Sequence, residues 1–252
     1  MTNKPNLMDL TGQTALITGG NKGIGYACAN LLADSGADII IISRTGILNT
    51  KHSELSSHGV KVHSIKCDLN NFNNYGKLLN KLPAPNILVN NAGTNLPMPI
   101  NEVTEEVFDK ILNLNLKSVY FLTKYIVKRL LIEDLEGTII NISSQMGHVG
   151  DKNRTVYCSS KHAIEGFTKS LAIELAEKKI RVNSISPTFI ETEMTRPFFE
   201  DAEFKESVLN RIPKGQLASV DDVSWAVLFL ASKASKMITG TSIKVDGGWS
   251  AQ

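Results

Sequence analysis

Ser144, Tyr157 and Lys161 are the residues of this 252-residue chain best placed by type and spacing to act together. Tyr157 and Lys161 are four apart, so on a helix they share one face. A free tyrosine titrates near pH 10, so only about one in a thousand is ionised at neutral pH. A neighbouring ammonium favours the phenolate, and each unit of pKa shift is about 1.4 kcal/mol. Such a tyrosine exchanges a proton with a carbonyl or alcohol oxygen. Ser144, thirteen residues upstream at the end of an apolar run, is placed to hydrogen-bond the same oxygen. Taken alone, Tyr-x-x-x-Lys is common on helices, and a packed tyrosine beside a surface lysine would be the better reading.

A second cluster decides between those alternatives. Thr14–Thr18 is followed directly by Gly19-Gly-Asn-Lys-Gly23-Ile-Gly25 and then by an amphipathic stretch. Glycines at a strand-to-helix turn let the backbone approach a pyrophosphate, and the helix N-terminus offers free N–H groups to its charge. The spacing Gly-x-x-x-Gly-x-Gly differs from the standard dinucleotide fingerprint, and an ordinary tight turn is the bland alternative. Its place after the first strand and before a helix favours a nucleotide. With a dinucleotide bound there, a proton exchanged at Tyr157 would accompany hydride transfer at carbon.

The second apolar run ends Ile41-Ile42-Ser43-Arg44. In a doubly wound sheet this position meets the adenosine ribose. A carboxylate there would bind a 2′-hydroxyl and repel a 2′-phosphate; Ser43, Arg44 and Lys22 of the glycine loop suit the phosphate instead. The expected cofactor is therefore NADP (NADPH), unless both cations are solvated surface groups.

Short apolar runs must position these residues. Thr14–Thr18, Asp38–Ser43, Val62–Cys67, Ile87–Asn90, Thr138–Ser143, Arg181–Ser186 and Ser242–Val245 read as strands, most lacking polar alternation, as when both faces are covered. Tyr26–Ser35, Glu105–Glu133, Thr155–Lys178 and Val220–Ser232 carry apolar residues at helical spacing. This alternation predicts an α/β fold: a seven-stranded parallel sheet with helices on both faces. The polar stretch Asn70–Asn80, before Pro83-Ala84-Pro85, predicts a short helix; Thr192–Lys214, with Pro197, Phe198 and Phe199, predicts a mobile, partly helical flap. No linker divides the chain, so residues 1–252 are expected to form one domain.

Composition excludes several classes. Twenty-seven basic against 25 acidic side chains leave a net +2, too little to favour nucleic acid. The cysteines Cys28, Cys67 and Cys158 are odd in number and lack Cys-x-x-Cys, so neither a disulfide framework nor structural zinc is expected. Nothing requires a metal. No apolar run approaches the roughly 20 residues of a membrane span, and Met1–Leu10 lacks an apolar signal core. The expected compartment is the cytoplasm.

Together these residues resemble the short-chain dehydrogenase/reductase family from about Leu10 to Trp249. The matching motifs are Thr18-Gly-Gly-Asn-Lys-Gly-Ile-Gly25, Asp68-Leu69, Asn90-Asn-Ala-Gly93, Asn115, Ser144, Tyr157-x-x-x-Lys161, and Pro187 with Thr192. The resemblance implies a single Rossmann-type domain, usually a homotetramer, with a catalytic tetrad of Asn115, Ser144, Tyr157 and Lys161. In it Asn115 would hold a water linking Lys161 to solvent. The cofactor residues it implies run from Gly19, Asn21, Lys22, Gly23, Ile24 and Gly25 through Ser43, Arg44 and Thr45. Asp68 and Leu69 would contact adenine, and Asn91, with Ala92 and Gly93, the adenosine-side ribose and neighbouring cofactor. Tyr157 and Lys161 would touch the nicotinamide ribose, and Pro187, Ile190 and Thr192 would hold the carboxamide and diphosphate.

Within the family, Ser43-Arg-Thr45, Ser143-Ser-Gln145, Val156-Tyr-Cys158, Pro187-Thr188 and Leu209-Asn-Arg-Ile-Pro213 resemble the NADP-dependent branch that reduces xylulose and dicarbonyls. Thr188, where most relatives have glycine, is part of that likeness, and two features depart from it: Arg154 where a histidine is expected, and Met146-Gly-His148. Arg154 is read either as a partner for a sugar-acid carboxylate or as a solvated lip residue. Gln145 and His148 are read as hydroxyl-binding groups beside Ser144 and Tyr157, with a structural role open for the histidine. The expected activity is interconversion of a ketone and a secondary alcohol on a small sugar, polyol or sugar acid. A 3-oxoacyl-thioester reductase is the competing enzyme, and a nucleotide-binding sensor the non-enzymatic alternative.

Overall fold

The computed structural model describes residues 6–71, 74–192 and 195–252, with backbone alone at 197 and 198. The parts of the Met1–Leu10, Asn70–Asn80 and Thr192–Lys214 readings that rest on residues 1–5, 72–73 and 193–194, and on the side chains of Pro197 and Phe198, fall outside the described residues. In chain order the elements are β1 (Thr14–Thr18), α1 (Gly23–Asp34), β2 (Asp38–Ser43), α2 (Asn49–Ser56), β3 (Val62–Lys66), α3 (Tyr75–Leu79), β4 (Ile87–Asn90), α4 (Glu105–Leu112), α5 (Ser118–Ile132), β5 (Gly137–Ile142), α6 (Thr155–Leu175), β6 (Ile180–Pro187), α7 (Ala202–Asn210), α8 (Val220–Ala231) and β7 (Ser242–Val245).

The strands form one sheet of order β3-β2-β1-β4-β5-β6-β7, and every pairing is parallel. Alternation along each strand divides the core between two faces. Ala15, Ile17, Ile39, Ile41, Ile140 and Ile185 pack with Ala29 and Leu32 of α1 and Val223 and Val227 of α8. Leu16, Ile40, Ile42, Leu88, Ile139 and Val182 pack with Leu122 and Ile126 of α5 and Leu175 of α6. Two covered faces explain the nearly unbroken Ile/Leu/Val runs. The direction of winding changes between β1 and β4, which opens a crevice at the strands' carboxyl ends.

One predicted element comes out differently. Glu105–Glu133 is not a single α-helix: Asn113–Lys117, between α4 and α5, form a π-helical segment. Its cause is local. Asn115 accepts from Thr94 N at 2.8 Å and donates to Thr94 O at 2.9 Å. The extra residue of the wide turn carries that side chain toward the sheet, as π-segments at functional sites commonly do. The helix between β3 and β4 is short, as the polar sequence required. Residues 196–200 form one 3₁₀ turn ahead of α7, whose first N–H groups are capped by Asp201. Phe199 and Phe204 of this region meet Phe189 and Trp249 in an aromatic cluster.

Candidate active site

The strand ends bring the sequence motifs together around a cleft of about 710 Å³, within the range of small-molecule sites. Every cofactor residue expected from the sequence lines it except Gly25. Gly25 acts from beneath: a β-carbon there would stand 2.5 Å from both Gly19 O and Asn91 Nδ2. Only glycine lets α1 start so close to β4. Gly19 and Gly23 take positive φ, of 64° and 54°, where a side chain is disfavoured.

Thr18 ties the two halves of the sheet at this point. Its hydroxyl accepts from Asn91 N at 2.9 Å and Ala92 N at 3.0 Å, while Asn91 Nδ2 donates to Thr18 O at 2.9 Å. Lys22 caps α1 with no side-chain bond to the helix, so the first N–H groups of α1 and the positive end of its dipole face the cleft. Ser143 Oγ, Thr188 Oγ1 and Asn95 Oδ1 are buried on the lining and make no hydrogen bond. A nucleotide fits this cradle: the helix end suits a pyrophosphate, and orphaned polar atoms await partners.

At the adenosine end the lining holds Lys22, Arg44 and a third cation that sequence reading missed, Lys51. Lys51 Nζ donates to Asn21 O at 3.2 Å and lies 4.4 Å from the Tyr26 ring centroid. Asn21 Nδ2 in turn donates to Thr45 Oγ1 at 3.0 Å. Ser43 is buried, and its hydroxyl donates to Gly46 O at 3.0 Å. No acid stands at the end of β2.

Ser144, Tyr157 and Lys161 converge at the other end. Ser144 Oγ accepts from Met146 N at 3.1 Å and donates to Gln145 Oε1 at 2.7 Å, which fixes both side chains. Lys161 Nζ donates to Ile142 O at 2.8 Å and lies 5.7 Å from the Tyr157 ring centroid. Burial pushes the Lys161 ammonium down to about 8, against the opposing pull of Glu165 one helical turn on. Burial raises the Tyr157 phenol, while a hydrogen bond with Ser144 and the charge of Arg154 draw it down. Arg154 is thus a second cation near the phenol, besides Lys161, and nothing in the sequence pointed to it there. Asn115 stays behind the cleft, its carboxamide on Thr94 and 3.2 Å from Ser160 Oγ.

Two expected substrate contacts are placed differently. His148 is off the cleft lining: Nε2 is 3.0 Å from Ser186 Oγ, 3.1 Å from Ser242 Oγ and 3.5 Å from Glu165 Oε1. Its ring serves a buried polar network because Ser186, Ser242 and Glu165 need partners there, so it corrects the hydroxyl-binding expectation. Burial lowers its pKa, so the neutral ring is favoured. Arg154 is not a solvated lip residue either, being 8 % exposed. It packs beneath Phe189, a cleft residue with no signal in the sequence.

A doubly wound parallel sheet, a glycine turn at its switch point and a serine, tyrosine and lysine at one end of the crevice define a nicotinamide-dependent oxidoreductase. A family model described as enoyl-(acyl carrier protein) reductase matches residues 19–250. The chain is 37 % identical to L-xylulose reductase of Mesocricetus auratus, over 96 % of this chain and 98 % of that protein. It is 38 % identical to a 3-oxoacyl-[acyl-carrier-protein] reductase of Rickettsia felis, over 96 % and 98 %. Among solved structures, one described as a 2-deoxy-D-gluconate 3-dehydrogenase of Agrobacterium tumefaciens with bound NADP aligns with a TM-score of 0.93 at 33 % identity, covering 98 % of this chain and all of that one. The chain belongs to the short-chain dehydrogenase/reductase family, and it is an NAD(P)-dependent oxidoreductase acting on CH–OH groups. Among the described residues no helix is long and apolar enough to cross a membrane.

Proposed function

We propose that the chain interconverts a ketone and a secondary alcohol on a sugar, polyol or sugar acid, with NADP(H) as cofactor. The carrying observation is the convergence of Ser144, Tyr157 and Lys161 at one end of a cleft whose other end holds Lys22, Arg44 and Lys51. The bound dinucleotide supplies or accepts the hydride. Tyr157 gives or takes the proton at the substrate oxygen, and a phenol held protonated by burial suits the reducing direction near neutral pH. Ser144, fixed by Gln145 and Met146 N, orients that oxygen. Lys161 would hold the nicotinamide ribose of the bound cofactor, and Asn115 fixes the Thr94 wall. The L-xylulose reductases among the relatives support a carbohydrate substrate.

A second reading, reduction of a 3-oxoacyl thioester, draws on the Rickettsia felis relative. Gln145 and the buried guanidinium of Arg154 disfavour an acyl chain at the substrate end. A panel of ketoses, oxo-aldonates, diketones and 3-oxoacyl thioesters, followed by loss of the reduced-nicotinamide absorbance, separates the readings. Turnover of thioesters alone would replace the first with the second.

A cytoplasmic homotetramer is part of the same proposal. Tyr120, Phe121, Leu131 and Ile132 of α5 and Ile173 of α6 are exposed, more apolar surface than one sheet face requires, and two-fold interfaces would cover it. Light scattering that finds a monomer at micromolar concentration would refute it.

A further inference from the structure

Arg154 stands three residues before Tyr157 with 8 % of its surface exposed. A guanidinium carries five N–H donors and has to place them. Among the described residues, none of the five makes a hydrogen bond. The nearest acid, Asp151, has Oδ2 at 3.9 Å from Nε, beyond hydrogen-bond range. Its other oxygen is committed: Oδ1 accepts from Arg211 Nη1 at 2.9 Å and from Lys152 N at 3.0 Å. Two guanidinium groups therefore share one carboxylate, and the cluster keeps a net positive charge. On its remaining side Arg154 has the Phe189 ring, centroid at 5.9 Å, which binds a cation but supplies no acceptor for its N–H groups.

A cation with most of its surface buried and no acceptor on its N–H groups is poorly compensated until a ligand provides one, although the nitrogens of Arg154 keep some contact with solvent. The side chain stands just behind the cleft lining, in a shallow groove that it shares with Leu96, Met98 and Tyr157. Tyr157 and Phe189 both line the cleft, Arg154 borders both, and its charge reaches the Tyr157 phenol. A guanidinium and a carboxylate match in two parallel hydrogen bonds. Hydroxyls of a neutral sugar would serve single N–H groups but leave the charge unmet, and an acyl chain would serve neither.

We infer that Arg154 is the carboxylate-binding residue of the substrate site, and that the substrate is an oxo or hydroxy acid of the sugar-acid class, not a neutral ketose. The inference rests on the reading of Tyr157 as the proton-exchanging group, which places the reacting carbon beside it. The carboxylate then lies farther along the carbon chain, against Phe189.

The test compares an oxo-aldonate with the neutral ketose of the same chain length, using NADPH and the wild type, Arg154→Gln and Arg154→Lys. The wild type should prefer the acid. Arg154→Gln should lose roughly 10- to 150-fold in kcat/KM on the acid, the worth of a charged hydrogen-bonded contact, mostly through KM; on the ketose any loss should be the smaller one and fall on kcat, through the charge that Arg154 places near the Tyr157 phenol. Arg154→Lys keeps the charge without the fork, so it should fall between the two, and it secures the comparison if the glutamine variant folds poorly. Calorimetric titration of tartrate into the enzyme–NADP complex gives a reading independent of turnover: binding in the wild type and none in Arg154→Gln. A wild-type preference for the ketose, or Arg154→Gln indifferent in both acid turnover and tartrate binding, overturns the inference while leaving the oxidoreductase reading intact. Absence of turnover on every carbonyl compound instead overturns that reading, and the tartrate titration still decides the role of Arg154.

Discussion

The carboxamide of Asn115 closes a ring on the backbone of Thr94, accepting from its N–H at 2.8 Å and donating to its carbonyl at 2.9 Å. Thr94 lines the cleft directly after Asn91-Ala92-Gly93, so the π-segment between α4 and α5 fixes a wall of the site at the strand ends. Gly93 belongs to the same contact: a β-carbon there would meet Asn115 Oδ1 at 3.3 Å.

Asn115→Ala should therefore cost both stability and rate. Removing the carboxamide strands two backbone groups, each worth about 1–3 kcal/mol when left unsatisfied in a buried place. Thermal unfolding should shift down, and kcat should fall by more than the affinity for cofactor, because the glycine loop and the adenosine end are untouched. A variant with wild-type melting temperature and turnover would show the Thr94 ring to be incidental.

Tyr157→Phe removes the one proton-exchanging group at the substrate end while keeping its packing. Turnover should drop by at least ~10²–10⁴-fold, the usual worth of general acid–base catalysis. Cofactor affinity, read by fluorescence titration, should stay within a few-fold. Wild-type-like kcat in this variant would remove Tyr157 from the mechanism.

Lys161 gives a stability test with a defined sign. Its folded pKa is about 8, lowered by burial, against about 10.4 when unfolded. Between these values the unfolded chain binds more protons than the folded one, so the Lys161 contribution to stability rises with pH through this window. Below about pH 8 the burial penalty is present in full. Lys161→Met should therefore gain on the wild type by about 3 kcal/mol more at pH 7 than at pH 10.5. The loss of the donor to Ile142 O is common to both pH values and cancels in that difference. Denaturant curves of the pair across this range, showing a constant gap, would contradict the burial account.

The sheet was legible because burial on both faces writes itself as Ile-rich runs, as in Asp38–Ser43. The tyrosine and lysine were legible because helical spacing puts both on one face of α6. What stayed hidden depends on contacts distant in sequence. Nothing local to Glu105–Glu133 announces a π-turn, since the partner that holds it, Thr94, lies 21 residues from Asn115. His148 looked free to bind substrate because Ser186 and Ser242, which occupy its ring, are 38 and 94 residues away. Lys51 sits on a helix with little apolar periodicity and joins the cofactor end only through the fold. Arg154 was the reverse case: its type was informative, and its burial removes the solvated-lip reading.

Cofactor preference is the remaining prediction. Arg44 is exposed at the end of β2 and lines the cleft together with Lys22 and Lys51. Asp68, at the end of β3, is an acid on that lining, and the resemblance places it at adenine, away from the 2′-position. A 2′-phosphate would meet positive charge there, while a 2′-hydroxyl would find no carboxylate to accept its proton. Hydrogen bonds to charged groups are worth roughly 1.5–3 kcal/mol each, and solvent exposure holds these to the low end. One or two such contacts should give on the order of ten- to a few-hundred-fold preference for NADPH over NADH in kcat/KM. Arg44→Ala should remove most of it by weakening NADPH while leaving NADH nearly unchanged. Lys51→Ala should have the smaller effect, because its ammonium is already held by Asn21 O and the Tyr26 ring. Because the contribution is electrostatic and exposed, the preference should also shrink as salt is raised. Equal efficiency with both cofactors in the wild type, or NADPH affinity indifferent to Arg44→Ala, would mean that these cations only face solvent.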